Sequence, residues 1–526
     1  MLPTRRKFLK QLGFGTGAFI LANAFDYRAF AAARALMRST PEAEGVSSAA
    51  IEAFLDAMAQ TKSELHSLMI SRHGKIVAEG WWKPYAPEIP HTMYSLSKSF
   101  TSTAVGFAVA EKKLTVEDKV TSFFPRDLPA QISDNLAAMQ VKHLLTMSSG
   151  HEKDPTGMVI QNENWVRAFL GSAIARPPGS LFVYNSVGTY MLSAIVQQVT
   201  GQKVIDYLTP KLFTPLGIEG MTWETCPRGI NCGGWGLSIQ TEGLAKFGNL
   251  YLQKGKWGGK EILPAAWVEE ATTKHIQQPD PAKPSRPHED NDWLQGYGYQ
   301  FWRCRHDAYR GDGAFGQYTI VLPEHDAVIA ITEESSDLQG VLDLVWEHLL
   351  PGFKDNPLPA NDVAQKQLRE RMAGLALPLP TGALTSPASA AFSGKPFHLA
   401  DNSLGLQSAT FTFEKDTVLS VFNTAADEYA ITNGLGAWEH GATGLPGTPP
   451  RIISGGAPPP GTRYKVAAAG TWKDPQTYEM VWRYYETPHH DTVTCHFDGD
   501  KVSIAFQASI NRGKDKRPVL QGKLTA

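Results

Sequence analysis

The sequence predicts a mixed α/β (α+β) unit followed by a β-rich unit, and three observations carry that prediction. Its 526 residues exceed one compact core at roughly 100–200 residues per domain. Strand-like runs stand at both ends of the first 350 or so residues, with helical periodicity between them. Beyond the proline-rich break from "PGFKDNPLPAND" to "LPLPTG", the chain alternates short strand patterns with Asp-Gly, Gly and Pro turns and carries no long helical pattern.

Taken in order, Ile51, Leu55 and Met58 recur at helical spacing, and "SLMISRHGKIVAEGWW" reads as a hairpin turning at His73-Gly74. The run from Ser95 to Ala110 and the face formed by Leu244, Phe247, Leu250 and Tyr251 read as helices. Residues 276–293 hold four prolines and many charges without periodicity, an exposed loop beside a cleft. "YGYQFWRCR", "QYTIVLP" and "DAVIAITEE" then read as consecutive strands, closed by the helix "LQGVLDLVWEHLL". These patterns divide the chain into residues 1–33, 38–355, a linker with a short helix over 356–382, and 383–526, the last an antiparallel sandwich or barrel.

Residues 1–33 read as an export signal, with a basic start, a short apolar middle and small residues up to Ala33. Arg5-Arg6 followed by Phe8, Leu9 and Lys10 fits the twin-arginine pattern, so the expected partner is the export machinery that carries folded cargo to the periplasm or beyond. Gly13, Gly15 and Gly17 interrupt the apolar stretch, which argues against a transmembrane anchor in the mature form. Cleavage there removes five of the 50 basic and one of the 52 acidic residues, leaving a net charge near −6. A mildly acidic surface without basic runs excludes nucleic acid as a partner. Cys226 and Cys232 flank the turn-like "PRGIN", where a local bridge and free thiols are equally open.

The chemistry concentrates in "HTMYSLSKSF". Three residues apart, Ser95 and Lys98 share one helix face, so the amine can take the hydroxyl proton. A helix start adds free N–H groups that stabilise an oxyanion. Alone, S-x-x-K is too short to separate a nucleophile from a polar first turn.

Its ordered neighbours decide. "MYSLSKSFTSTAVGFAVAEKKLTVEDKVTSFFP", "VKHLLTMSSG", "PPGSLFVYNSVGTYMLSAIVQQVTG" and "GDGAFGQYTIVLPEHDAVIAI" together resemble the serine β-lactamase and penicillin-binding-protein superfamily. The likeness is to its class C β-lactamase, esterase and D-aminopeptidase branch, covers most of residues 40–350, and leaves the C-terminal unit aside. It implies an antiparallel sheet flanked by helices with an all-helical subdomain, an acyl-enzyme on Ser95, Lys98 as activator, Tyr184 in acid/base work, and no metal or organic cofactor. Where the family's second box carries asparagine, this chain has Ser186, which keeps a hydroxyl but loses the amide's reach.

The third box, Lys-Thr-Gly or His-Thr-Gly in the family, reads Gly311-Asp312-Gly313-Ala314 here. By the resemblance, the Ala314 N–H joins that of Ser95 in an oxyanion hole, and Gly313 lets the backbone approach a ligand. The cation that would hold a substrate carboxylate is missing. Arg310 is adjacent and offers a replacement cation for the substrate, although strand alternation turns it to the opposite face from position 311 unless the strand twists or bulges. An aspartate suits a neutral or cationic ester or amide better than a substrate with a free carboxylate.

Weaker signals surround this set. His151 follows "SSG", a loop that borders the cleft in similar proteins, which offers it as a substrate contact against the plainer reading of an exposed loop histidine. Trp81, Trp82 and Tyr85 offer an aromatic wall for the substrate or mere packing. His489, His490, Cys495 and His496 lack zinc spacing, and alternation sets Cys495 and His496 on opposite faces, a structural arrangement. The reading is an exported serine hydrolase acting on a small-molecule or peptide-like ester or amide. Its alternatives are a peptidoglycan D,D-peptidase or β-lactam-binding protein, and a non-catalytic cell-wall binding protein.

Overall fold

The computed structural model describes residues 36–449, 461–511, 513–515 and 517–524, so the export-signal reading of residues 1–33 lies outside the described residues. Among the described residues, no helix is long and apolar enough to cross a membrane.

Helix α1 (Ser48–Ala59) starts at Ser47, whose hydroxyl accepts the Ala50 N–H, and buries Ile51, Phe54, Leu55 and Met58. Strands β1 (Glu64–Arg72) and β2 (Lys75–Trp81) form the hairpin. Its turn residues His73 and Gly74 take φ 50° and 70°, the paired positive angles of a tight hairpin turn. Helix α2 (Ser97–Ala110) follows a single 3-10 turn over Tyr94–Leu96 and is buried from Ser97 to Ala108. Its small polar residues tie a fully enclosed helix to its surroundings: Ser99 donates to Gln300 O at 2.8 Å and Thr101 to Gly233 O at 2.9 Å. Helices α3 (Ser186–Thr200) and α4 (Thr241–Leu252) pack against it, Phe247 of α4 stacking on Phe100 at 3.9 Å.

Strands β3 (Tyr309–Gly313), β4 (Gln317–Leu322) and β5 (Ala327–Glu334) then join the early hairpin in one antiparallel sheet, ordered β2-β1-β5-β4-β3. Two-residue strands flank it, Met37–Arg38 parallel to β2 and Trp302–Arg303 antiparallel to β3. The apolar runs of β4 and β5 are continuous because both faces are covered. Met69, Val328 and Ala330 face the helices α2 to α4, while Leu68, Ile70, Ile329 and Ile331 face α1 and α5 (Leu338–Leu344). The predicted strand "YGYQFWRCR" shrinks to Trp302–Arg303, because Gln300 sits at φ 68° and turns its amide to the Leu144 and Leu145 carbonyls.

Cys226 and Cys232 are buried thiols without a bridge. Backbone bonds close their turn instead, Cys226 N–H to Ile230 O and Cys232 N–H to Glu224 O.

Helix α6 (Asp362–Ala373), capped by Asn361, lies on β2, where Gly80 leaves room for Met372 and Leu375. Among the described residues ten further strands follow: β6 (Pro396–Leu399), β7 (Ser408–Phe413), β8 (Thr417–Asn423), β9 (Glu428–Leu435), β10 (Glu439–Thr443), β11 (Tyr464–Asp474), β12 (Thr477–Arg483), β13 (His490–Asp498), β14 (Lys501–Ala508) and β15 (Leu520–Leu524). They curl into a barrel that closes where Gly434 and Leu435 of β9 pair in parallel with Ala469 and Gly470 of β11. This settles the open choice between sandwich and barrel. Phe397, Phe411, Trp472, Tyr478 and Phe497 fill the interior, and the alternation of β13 puts Cys495 inside and His496 outside.

Candidate active site

The 3-10 turn over Tyr94–Leu96 holds a half-buried Ser95, with Lys98 one turn further on in α2. Lys98 is 2% exposed. Its Nζ lies 2.9 Å from Ser95 Oγ, 3.1 Å from Ser186 Oγ and 2.6 Å from Gly234 O. Burial brings the amine down to about 7, against the fields of Asp154 and Asp312, which raise it.

Asn185 caps α3 by accepting the Gly188 N–H, which places Ser186 in the first turn facing Lys98 and leaves Tyr184 just ahead of the helix. Gly234 is a glycine of necessity, since a Cβ there would run into Ser186 O. Tyr184 is half-buried, stacks on Trp302 at 5.6 Å and lies with its ring 4.8 Å from Lys98 Nζ. Burial raises its phenol well above the usual value, and a hydrogen bond with Ser95 opposes that. The phenol is therefore protonated at neutral pH.

Strand β3 runs directly over the turn that holds Ser95. At Gly313 a Cβ would strike Met93 O, and at Gly311 it would lie 3.1 Å from Leu96 Cγ and Ser99 Oγ. The strand thus brings its Gly313 end, just ahead of Ala314, against the residues that flank Ser95. Arg310 overturns one expectation. It is fully buried, and because residues two apart on a strand share a face, its Nε donates to Asp312 Oδ2 at 2.8 Å. Its Nη1 donates to Asp292 O at 2.9 Å, and its guanidinium lies over Trp293 at 4.4 Å. Arg310 is closed off from a substrate carboxylate and serves as the partner of Asp312. Burial raises the Asp312 carboxyl, while Arg310 and Lys98 lower it.

His151 is neither exposed nor at the reacting atoms. Its Nδ1 pairs with Ser149 Oγ at 2.8 Å and its Nε2 with Ser172 Oγ at 2.7 Å, and burial brings it down to about 4. Through Ser149, which accepts from Asn185 at 3.2 Å, it supports the segment carrying Tyr184. The early aromatics are not the substrate wall either. Trp81 and Tyr85 line a separate cavity of about 1220 Å³ with Leu368, Met372 and Trp438, and Trp82 packs beside Leu377. The rings beside the nucleophile are Trp302 on one side and Tyr94 and Phe315 on the other, which sequence reasoning missed; only adjacency to "YSLSK" and "GDGA" marked the last two.

Glu64, Glu334 and His490 approach one another closely, but Arg483 already occupies the cluster, donating to both Glu64 oxygens at 2.9 and 3.1 Å. A guanidinium there repels a metal ion.

The Beta-lactamase family model matches residues 50–340. The 6-aminohexanoate-dimer hydrolase of Paenarthrobacter ureafaciens is 25% identical over 219 residues, 39% of this chain and 56% of that protein. The chain thus spans little more than half the length of that relative. Among solved structures, a penicillin-binding protein homologue from Pyrococcus abyssi is 17% identical, with 90% of this chain and 99% of that one covered at a TM-score of 0.46. A penicillin-binding protein homologue from Caulobacter crescentus is 16% identical, with 60% and 99% covered at 0.47. Matched over more than half of its length, the chain belongs to the Beta-lactamase family.

Proposed function

We propose that this protein is an exported hydrolase that cleaves a neutral or cationic ester or amide through an acyl-enzyme on Ser95. The observation that carries the reading is the buried Lys98 amine, 2.9 Å from Ser95 Oγ and brought down to about 7. A neutral amine has two N–H donors and one lone pair. Gly234 O and Ser186 Oγ take the donors, which leaves the lone pair for the Ser95 proton.

Ser95 Oγ attacks the substrate carbonyl as its proton passes to Lys98, and the N–H groups of Ser95 and Ala314 hold the oxyanion. Tyr184, kept protonated, donates to the leaving oxygen or nitrogen as the tetrahedral intermediate collapses, and Lys98 returns a proton to it. Water then attacks the acyl-enzyme as neutral Lys98 takes its proton, and Lys98 returns that proton to Ser95 Oγ as the acid product leaves.

Asp154 and Asp312 are the charged groups whose fields reach Lys98, and the neighbouring cation, Arg310, is enclosed. That field disfavours a substrate carboxylate and favours an uncharged or positive group. The name of the Paenarthrobacter relative gives that protein a short linear amide, which supports an amide substrate; as a hexanoate that compound also carries a carboxylate, which the field around Lys98 disfavours. The twin-arginine pattern at Arg5-Arg6 supports export to the periplasm or beyond.

The test is a panel of short-chain esters, D-amino-acid amides, small amide oligomers and nitrocefin, run beside Ser95→Ala. Turnover of esters or amides by the wild type alone is expected. Wild type and Ser95→Ala equally inert across the panel refutes the hydrolytic reading, and efficient nitrocefin hydrolysis refutes the substrate class.

A further inference from the structure

The barrel touches the catalytic unit at the nucleophile itself. The turn between β12 and β13, residues 484–489, lies against the segment that leads into Ser95: Thr92 N–H donates to Glu486 O at 2.9 Å, and the Tyr85 hydroxyl to Thr487 O at 2.9 Å. Its last residue, His489, is 3% exposed. His489 Nε2 stands 2.5 Å from the Tyr94 hydroxyl and Nδ1 stands 2.7 Å from Glu334 Oε1. The ionised carboxylate of Glu334 only accepts, so Nδ1 donates to it, and Nε2 and the Tyr94 hydroxyl form the second hydrogen bond.

Tyr94 and Phe315 have something else in common. Both are non-glycine residues in the left-handed region, at φ 48° and 66°. Tyr94 precedes Ser95 and Phe315 follows Ala314, the two residues whose N–H groups form the oxyanion hole in the reading above. The His489 ring contacts both, at 5.9 Å from Tyr94 and 4.6 Å from Phe315, and these two rings meet at 5.2 Å. Residues held in sparsely populated backbone conformations persist where their surroundings fix them. Here the surroundings come from the other domain.

We propose that His489 is a positioning residue of the oxyanion hole: oriented by Glu334, it clamps Tyr94 and Phe315 so that the Ser95 and Ala314 N–H groups converge on one point. This rests on the acyl-enzyme reading of Ser95. The C-terminal barrel then completes the active site and is not a detachable binding module.

The experiment uses the full chain with His489→Ala, His489→Gln, Tyr94→Phe and the His489→Ala/Tyr94→Phe double variant. It measures p-nitrophenyl butyrate turnover and the rate at which a fluorophosphonate labels Ser95. Expected for His489→Ala is a fall in kcat of about ten- to hundredfold, with KM within about threefold and labelling slowed in parallel. Glutamine, which keeps an acceptor for the Tyr94 hydroxyl, restores part of the loss. Tyr94→Phe matches His489→Ala, and the double variant is no slower than either single one. A kcat within about twofold of wild type in His489→Ala, losses that multiply in the double variant, or an effect confined to KM overturns the proposal. If His489→Ala shows no cooperative melt, His489→Gln and Tyr94→Phe decide by the same criteria. A wild type that takes no label at Ser95 overturns the acyl-enzyme reading and this one with it. A labelled wild type beside an equally fast His489→Ala overturns this one alone.

Discussion

The Lys98 amine reaches Ser186 Oγ at 3.1 Å, at the position where the family's second box carries asparagine. A hydroxyl on the first turn of α3 therefore keeps the part of that role which concerns the lysine. Ser186→Ala removes one acceptor and lets the amine swing away from Ser95. We expect kcat/KM to fall about tenfold or more, the scale of one hydrogen bond to a reacting or charged group, about 1.5 kcal/mol. Steady-state kinetics with an unchanged far-UV spectrum checks this, and full activity in Ser186→Ala refutes it.

Activity should follow the charge on Lys98. The base acts only when neutral, so kcat/KM climbs tenfold per pH unit on the acid side and levels off above about 7. A pH–rate profile with its acid limb centred near 10 would contradict the burial argument. Linkage has the same sign. The unfolded chain holds a proton on this amine between about 7 and 10.5 that the folded chain lacks, so stability from this residue rises with pH across that window.

Arg310 and Asp312 should prove coupled in stability. Arg310→Met leaves a buried carboxylate without its partner, which costs about 3–5 kcal/mol for a broken buried pair. Adding Asp312→Asn removes the stranded charge and recovers most of that loss. Urea melts of the single and double variants test the coupling, and equal stability of the two would disprove it.

Acid should loosen the boundary between the two domains. Burial raises the Glu334 carboxyl, but hydrogen bonds from His489 and His490 overcome it and hold the group at about 2. A carboxyl lowered in the folded state contributes stability above its unfolded value of 4.5, and that contribution is lost as pH falls toward 2. Hydrogen exchange in residues 484–489 should therefore accelerate across that interval in the wild type and change little in Glu334→Gln. Identical acid profiles for the two would count against the assignment.

Ser95, Lys98 and Tyr184 were legible because their spacing is local or carried by ordered motifs, and the two-faced burial of β4 and β5 is written in unbroken apolar runs. The barrel strands show equally well in their period-two alternation. Its closure does not, because β9 and β11 meet in a pairing that leaves no periodic mark. The role of Arg310 as a substrate cation did not hold, because its partner Asp312 sits two residues along on the same strand face and takes its guanidinium. His489 was assigned a structural role because its partner Tyr94 is 395 positions away, and no local pattern reports a contact across that span. His151, read as a substrate contact or an exposed loop histidine from its place after "SSG", is neither, because Ser149 and Ser172, the latter 21 residues on, enclose it.

The distance between Tyr94 and His489 along the chain also bears on timing. Synthesis proceeds from the N-terminus, so the nucleophile leaves the ribosome long before the ring that braces it, 395 residues later. Contacts of such separation form late in folding. A nascent chain therefore carries Ser95 without its brace, and the finished reactive geometry arrives only with the last strands of the barrel.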